Sequence, residues 1–232
     1  MSFLERALKS VDWNKNCSDF INDENRSDRL LKGIKRVALW SSELQAVNVK
    51  NPALPFIREM HASAISVSAA IALGLHKAGA GNMRAIVESA LYFSYFKDHH
   101  AELSTLVRDE KYYISRKFII DYHKEHTIEF IKRQECFGFL SKLDRWYSNI
   151  SAIVHGQIPG VWSSSDIGGT IYSAERVEAS VSEFEEATDL MHMIFLITCS
   201  GAQWDGISPA SKAKFTKGLS GDQKAILGIS KK

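Results

Sequence analysis

A polar seam that ends in a histidine is the first candidate for chemistry in this sequence. Tyr147, Ser151 and His155 follow one another at intervals of four residues, so they lie along one face of a predicted helix. Ser148 and His155 fall within roughly 20° of each other around the same axis, and Gly156 indicates where the helix ends. An imidazole beside hydroxyls can act as a general base near neutral pH. It can equally complete a structural hydrogen-bond cluster, and both interpretations remain open.

An arginine and a glutamate in an earlier segment are the second candidate. Arg84 and Glu88 are four residues apart, the spacing of an ion pair within one helix. Apolar neighbours such as Ile86 and Val87 predict that this helix is partly buried, and buried charges need full pairing. We therefore predict that the couple orients a polar group on a neighbouring helix, for example His155. The alternative is an ordinary surface ion pair.

The histidines and cysteines do not have the spacing of metal ligands. His123 and His126 are three residues apart, but no HExxH pattern is present. The three cysteines are far apart and form no CxxC pair, which is typical of a reduced compartment and argues against zinc or disulfides. We predict a cytoplasmic protein without a metal site or cofactor.

Helical periodicity runs through nearly the whole chain. Helices are predicted over residues 29–49, 56–78, 83–98, 102–133, 136–155, 178–204 and 208–219, with a glycine hinge at 79–81 and Asn82 as the following N-cap. The stretch 157–173 lacks a period and predicts a long loop, with a brief extended piece at 170–172. The expected fold is all-α, one domain over residues 1–232 with six to eight helices, a core at about 26–204 and a flexible basic tail at 220–232.

Composition limits the partners only weakly. The chain has 232 residues, 29 basic against 27 acidic, and a net charge of +2, which neither requires nor excludes a nucleic acid. Residues 62–75 are uncharged, but a membrane span needs about 20 apolar residues, so we predict a buried helix and no membrane. The better basic patch comprises Lys212, Lys214 and Lys217.

Two segments together resemble bacterial helical proteins of the HEPN superfamily and its abortive-infection-like relatives. The first, NMRAIVESALYFSYF, contains Arg84 and Glu88 followed by aromatic residues. The second, YSNISAIVHG, contains a tyrosine, serines and a terminal Val-His-Gly. The likeness covers about residues 56–200 in order and spacing, and its motifs are short.

The resemblance implies a helical bundle that often forms a homodimer, with roles in antiviral defence or toxin–antitoxin systems. Catalytic members cut RNA without a metal ion, using an arginine and a histidine separated by four to six residues. This chain departs from that pattern, because Arg145 precedes His155 by ten positions and Asn149 stands where an arginine would satisfy the spacing. Arg116 and His123, with six residues between them, match the spacing and form an alternative catalytic pair.

Two functions follow. In the first, a HEPN-like effector or accessory protein binds RNA or a nucleotide-bearing partner, and cleaves RNA if His155 acts as acid and base with charge stabilisation from Arg84 or Arg145. The expected binding residues are Tyr147, Ser148, Ser151 and Arg145. In the second, the chain is a non-catalytic interaction and dimerisation module, and the apolar residues 191–199 pack against another subunit. Either function is compatible with a partner protein from a neighbouring gene.

Overall fold

The computed structural model describes residues 1–158, 162 and 170–229, and this part of the chain contains α-helices but no β-strand. The prediction of an all-α fold is therefore confirmed. In chain order the helices are α1 (Phe3–Lys9), α2 (Trp13–Asn22), α3 (Glu24–Val47), α4 (Leu54–Ala72), α5 (His76–Phe96), α6 (His100–Arg108), α7 (Arg116–His126), α8 (Phe130–Phe137), α9 (Phe139–Val154), α10 (Ala174–Thr198), α11 (Gly201–Gly206), α12 (Pro209–Phe215) and α13 (Gly221–Ile226). The described helices outnumber the six to eight expected, because several are only six to eight residues long.

The bundle is organised around α5 and α10, which pack against each other. Helices α4 and α9 also pack on α5, and α3 packs on α10. More than half of the residues of each central helix are buried, because each helix is enclosed by several neighbours. This arrangement places α5 between the helices that complete the candidate site.

The apolar run at residues 191–199 belongs to the core of its own chain. Met191 and Ile194 are fully buried, and Phe195 is 2% exposed. Within the same run His192 accepts a hydrogen bond from Nε1 of Trp40 at 2.8 Å. The prediction that this run packs against another subunit is therefore wrong, since its apolar surface is already covered by the bundle.

The predicted helix over residues 102–133 is divided into α6, α7 and part of α8. Residues 109–115 are not helical, and Ser115 begins α7 by accepting a hydrogen bond from the backbone N–H of Phe118 at 3.1 Å. The non-helical stretch allows Ile114, 5% exposed, to enter the core. A second break follows at Glu129, whose φ of 60° lies in the left-handed region. Because charged residues are interleaved along this segment, the sequence pattern did not predict either break in the helix.

The turn between α4 and α5 lies earlier than predicted. Gly74 adopts a φ of +76°, and the backbone N–H of Leu75 donates to the carbonyl of Ala70 at 2.7 Å, which ends α4. The predicted hinge at 79–81 is instead helical, and Gly79 faces α4: a Cβ at this position would lie at an ordinary contact distance of 3.6 Å from that of Ala70. Asn82 is inside α5 and is not an N-cap.

The two expected mobile regions are described only in part. Residues 159–161 and 163–169 of the predicted 157–173 loop, and residues 230–232 of the predicted tail, lie outside the described residues. Residues 170–172 have no regular secondary structure, and Asn16 binds the carbonyl of Thr170 and the N–H of Tyr172. Part of the expected flexible tail is helical, because α13 begins with a capping box at Ser220 and packs on α8.

No helix in the described part of the chain is both long and apolar enough to span a membrane. Residues 62–72 of the apolar segment belong to α4, which has buried residues along its length. Its small side chains allow α5 to pack closely.

The contact between α3 and α10 provides a test of this packing. A Cβ at Gly33 would lie 2.5 Å from Cε1 of Phe184, a fully buried ring. We expect Gly33→Ala to lower the free energy of unfolding by about 1–3 kcal/mol through overpacking, measured by urea denaturation.

Gly81→Ala is the matched control, because nothing lies within 4 Å of a Cβ at this position in α5. It is expected to stabilise the protein by about 0.5–1 kcal/mol, the usual gain of alanine over glycine inside a helix. Equal stability changes for the two variants would contradict the close α3–α10 contact.

Candidate functional site

Helices α5 and α9 run antiparallel along one side of the bundle. Tyr147 of α9 contacts Glu88 of α5, while Gly156, just after α9, lies near Lys77 at the start of α5. The polar faces of the two helices therefore meet along their length. This juxtaposition brings the histidine seam to the arginine–glutamate couple.

Arg84 is the centre of the resulting cluster. Its Nε donates to Oε1 of Glu88 at 2.9 Å, and its Nη1 lies 3.2 Å from Nε2 of His155. Because a guanidinium has only donors, Nε2 of His155 accepts in this contact, and the remaining ring proton is on Nδ1. The imidazole of His155 is thus bonded to the guanidinium of Arg84, and not to Ser148 or Ser151.

Tyr147 closes the cluster on the side of α9. Its hydroxyl donates to Oε1 of Glu88 at 2.5 Å. Burial, together with this hydrogen bond, raises the pKa of Tyr147 to about 12. For Arg84, burial opposes the charged form, but the hydrogen bond that it donates to Glu88, together with the charge of that carboxylate, prevails and the pKa of Arg84 is raised. The cluster at neutral pH therefore contains a protonated tyrosine and a charged arginine.

A second guanidinium joins the cluster through the same aromatic ring. Cζ of Arg116 lies 4.3 Å from the centroid of Tyr147, and Cζ of Arg84 lies 5.0 Å from it. Arg116 also binds Oδ1 of Asp144 at 2.8 Å. The sequence predicted that Arg116 pairs with His123 instead. Its contact with Tyr147 joins two helices, α7 and α9, and the spacing of residues within one helix does not predict such a contact.

The cluster is open to solvent. His155 is exposed, and the side chains of Arg84 and Glu88 are 25% and 34% exposed. A ligand can therefore reach the imidazole and the guanidinium. Their partial burial still holds the pair in a defined geometry.

The other predicted binding residues contribute less. Ser148 and Arg145 are exposed, and within the described residues no hydrogen bond connects them to Arg84, Glu88 or His155. Oγ of Ser151 is buried and has no hydrogen-bond partner in the part of the chain that the structure describes. Of the four predicted binding residues, Tyr147 alone is hydrogen-bonded to the Arg84–Glu88 couple in that part.

The alternative pair of Arg116 and His123 is not brought together. His123 is 2% exposed, and its two ring nitrogens lie 2.9 Å from Oγ of Ser94 and 2.7 Å from Oγ1 of Thr127. Burial lowers its pKa to about 3. Arg116 contacts Asp144 and the ring of Tyr147 instead, so His123 is a satisfied core residue and Arg116 extends the first cluster.

The lysines near the C-terminus line a basic groove with α3. Lys214 and Lys217 lie opposite Lys32, Lys35 and Arg36, around a groove of about 790 Å³. Arg36 is bonded to Asp189 of α10. The groove is a second place where a polyanion could rest, and any binding experiment must separate it from the His155 cluster.

The described residues contain no group of three or more His, Cys, Asp and Glu side chains arranged to hold a metal ion. The His155 cluster combines two guanidiniums, each paired with one carboxylate, with one imidazole and one tyrosine hydroxyl. Guanidiniums recognise anions, so these side chains suit the binding of a phosphate or a carboxylate.

A half-buried glutamate on α10, Glu183, was not identified from the sequence. Oε1 of Glu183 accepts a hydrogen bond from Nδ2 of Asn149 at 2.6 Å, while its Oε2 is buried and lacks a partner among the described residues. Burial raises the pKa of Glu183 to about 7. The charge pattern of α10 gave no signal, because neighbouring glutamates are exposed or paired.

Comparison with known proteins adds no relative. No family model matches the chain, and no curated protein or solved structure matches it. The resemblance to the HEPN superfamily therefore rests on the residues quoted above and stays a prediction. The function is therefore inferred from the geometry of the His155 cluster.

The buried carboxyl of Glu183 predicts a pH-dependent stability. Between about pH 4.5 and 7 the folded protein keeps a proton that the unfolded chain has released, so the free energy of unfolding falls as pH rises through this window. Glu183→Gln removes the charge and keeps an acceptor for Asn149. We expect this variant to be more stable than the wild type by about 1–3 kcal/mol at pH 8 and nearly equal at pH 4.

Urea denaturation at the two pH values measures the effect. Glu125→Gln, at an exposed position of α7, is the control and should change stability little at either pH. A Glu183→Gln variant that is no more stable than the wild type at pH 8 would show that the carboxylate is well solvated.

Proposed function

We propose that this chain is a HEPN-like helical protein that binds RNA through its phosphates at the His155 cluster, as an effector or accessory protein of a bacterial defence or toxin–antitoxin system. The observation that carries the proposal is the 3.2 Å contact between Arg84 and an exposed His155, with Arg84 anchored by Glu88. The short motifs shared with the HEPN superfamily support the choice of RNA over other polyanions.

Phosphate recognition is supported by how the cations are held. Glu88 fixes Arg84 through Nε, and Nη1 of Arg84 reaches the exposed His155. A guanidinium fixed in this way loses little side-chain entropy when it binds a phosphate oxygen. Arg116 lies over the Tyr147 ring, and its carboxylate partner Asp144 is 72% exposed, so a phosphate can readily compete for it.

The extent of the site is supported by the antiparallel packing of α5 and α9. Lys77 lies near Gly156, at the opposite end of the seam from Arg116. The cations Lys77, Arg84 and Arg116 thus flank the seam over about three turns of α5. Separate positive charges along one face suit a nucleic-acid backbone better than a single small anion.

A second candidate function is metal-independent RNA cleavage, and the Arg84–His155 contact favours it. A phosphate that takes the Nη1 donor of Arg84 leaves Nε2 of His155 without its present partner. The freed nitrogen can accept the proton of a ribose 2′-hydroxyl, while Arg84 balances charge on the phosphate. The 2′-oxygen then bonds to the adjacent phosphorus as the P–O5′ bond breaks, and the leaving 5′-oxygen takes a proton from the imidazolium or from water, which leaves a 2′,3′-cyclic phosphate and a 5′-hydroxyl. In this function His155 is the base and then the acid, and Arg84 is the electrostatic stabiliser.

RNA binding is tested by fluorescence anisotropy with a labelled single-stranded RNA over a range of salt concentrations. We expect Arg84→Gln to weaken binding at least about tenfold and to reduce the salt dependence by about one phosphate contact. Arg145→Gln removes an equal charge from an exposed position of α9 outside the cluster, so it should change the Kd much less.

A second variant distinguishes binding at the groove from binding at the His155 cluster. In this variant the charges of the groove are removed by changing four lysines to Gln: Lys32, Lys35, Lys214 and Lys217. Unchanged binding in this variant supports the His155 cluster as the site. Loss of binding in the groove variant, with full binding in Arg84→Gln, would refute the proposed site. A wild-type protein that binds no RNA would refute the function as well.

Cleavage is tested by incubating RNA with the protein in the presence of a chelator. We expect His155→Ala to abolish any cleavage while it leaves RNA binding within about threefold, because the imidazole adds little to the charge. If the wild type binds RNA but does not cut it, the protein is a binder only.

If the wild type shows neither activity and His155→Ala only lowers the melting temperature, the cluster is structural, and an interaction module would have to use a surface other than residues 191–199. The loss of such contacts typically costs about 1–3 kcal/mol. Measurement of the molecular mass in solution then tests the predicted homodimer.

A further inference from the structure

A cavity of about 290 Å³ lies where the end of α5, the α7–α8 connection and the junction of α10 with α11 meet. Its walls include Lys97, Tyr122, His126, Arg133 and Cys199, and none of these residues belongs to the His155 cluster. The cavity is therefore a separate feature of the fold, and its basic side chains are more enclosed than those of the α3–α12 groove.

Arg133 enters the cavity wall from α8, and within the described residues no carboxylate pairs with it. Its Nη1 donates to the carbonyl of Ile197 at 3.3 Å, and its Nε is buried with no hydrogen-bond partner among the described residues. The nearby Glu129 is bonded to Lys132 at 2.8 Å. Burial lowers the pKa of Arg133, so the fold disfavours the charge it places there. A partly buried cation without a paired anion is costly, and a bound anion offsets that cost.

Lys97 contributes a second enclosed cation. Its side chain is only 10% exposed, and its Nζ binds Asp98 at 2.7 Å. The Asp98 side chain is 60% exposed, so this carboxylate approaches Lys97 from the solvent side. Two cations against one carboxylate give the cavity an excess of positive charge.

Two threonine hydroxyls of the cavity wall already have partners. Oγ1 of Thr127 is bonded to Nδ1 of His123 at 2.7 Å, and Oγ1 of Thr198 donates to the carbonyl of Ile194 at 2.6 Å. The charged donors that line the cavity are Arg133 and Lys97, beside the neutral hydroxyl of Tyr122. A ligand with negatively charged acceptor oxygens matches these two cations better than a neutral sugar does.

We infer that this cavity binds the phosphate group of a small phosphate monoester, with Arg133 and Lys97 as its charged contacts. A phosphate carries more negative charge than a carboxylate and has three free oxygens, so it can accept from the guanidinium of Arg133 and from Lys97 at once. Tyr122 and His126, with ring centroids 4.9 Å apart, form a wall for the organic part. The volume is at the low end for ligand sites, which limits the ligand to a phosphate with a small body.

Isothermal calorimetry with inorganic phosphate and with glycerol 3-phosphate tests this inference on the full chain. Both titrations are made at matched ionic strength, with acetate as the carboxylate comparison. We expect saturable one-site binding of the two phosphates, weakened at least about tenfold in Arg133→Met and in Lys97→Met. Lys132→Met is the matched control, because Lys132 lies beside Arg133 but is 66% exposed, and its Kd should stay within about twofold.

The melting temperatures of the variants distinguish a loss of binding from a loss of stability. Replacement of a partly buried arginine that has no ion pair by methionine is not expected to lower the melting temperature, because no partner charge is left behind. Loss of binding at an unchanged melting temperature therefore supports the inference. If Arg133→Met does not fold, Lys97→Met decides the outcome by the same comparison.

Three results would overturn the inference: no saturable binding up to about 10 mM phosphate, well above a millimolar Kd; equal binding by Arg133→Met, Lys97→Met and the wild type; or acetate binding as tight as phosphate, which would indicate a carboxylate site. Arg84→Gln should bind phosphate here as the wild type does. This variant keeps the test independent of the RNA-binding proposal.

Discussion

Glu88 holds the candidate site together, because a single oxygen of its carboxylate accepts hydrogen bonds from both Arg84 and Tyr147. Through these two bonds it joins α5 to α9 and directs Arg84 toward His155. Without this carboxylate the guanidinium would be free to turn into solvent, as long basic side chains usually do. The position of the imidazole relative to a cation thus depends on one acceptor.

The helices that carry these residues are held by close packing. Gly79 of α5 lies against Ala70 of α4, and Gly33 allows α3 to approach the Phe184 ring of α10. Interiors packed in this way respond little to small forces, so the polar faces at their edges keep a defined spacing. The candidate site is therefore built on rigid helices, which position side chains more accurately than loops do.

The two sites suggested for anions differ in how their charge is balanced. In the His155 cluster Arg84 has a carboxylate, a tyrosine and an imidazole as neighbours, and a ligand would have to compete with them. In the cavity beside α8, Arg133 has one carbonyl partner and a buried Nε without any among the described residues. The first arrangement suits an extended ligand with many weak contacts, and the second suits a small one with a single charged group.

The sequence by itself determined the all-α class, most of the long helices and the i, i+4 pairing of Arg84 with Glu88, because these features depend on local periodicity. It also singled out His155, since a histidine at a helix end among hydroxyls is a local pattern. The sequence did not predict the break at residues 109–115, where Ile114 is buried in the core. The charged residues interleaved along this segment give no signal of a helix end.

Only the tertiary structure decided which faces meet. In the folded chain Arg116 lies over the ring of Tyr147, and His123 is buried between Ser94 and Thr127. Residues 191–199 are covered within their own chain, and Nε of Arg133 is buried. Periodicity reports which side of a helix is apolar, but the partner of a polar side chain depends on contacts between helices far apart in the chain. Those contacts follow from how all the helices pack at once, and no single segment contains that information.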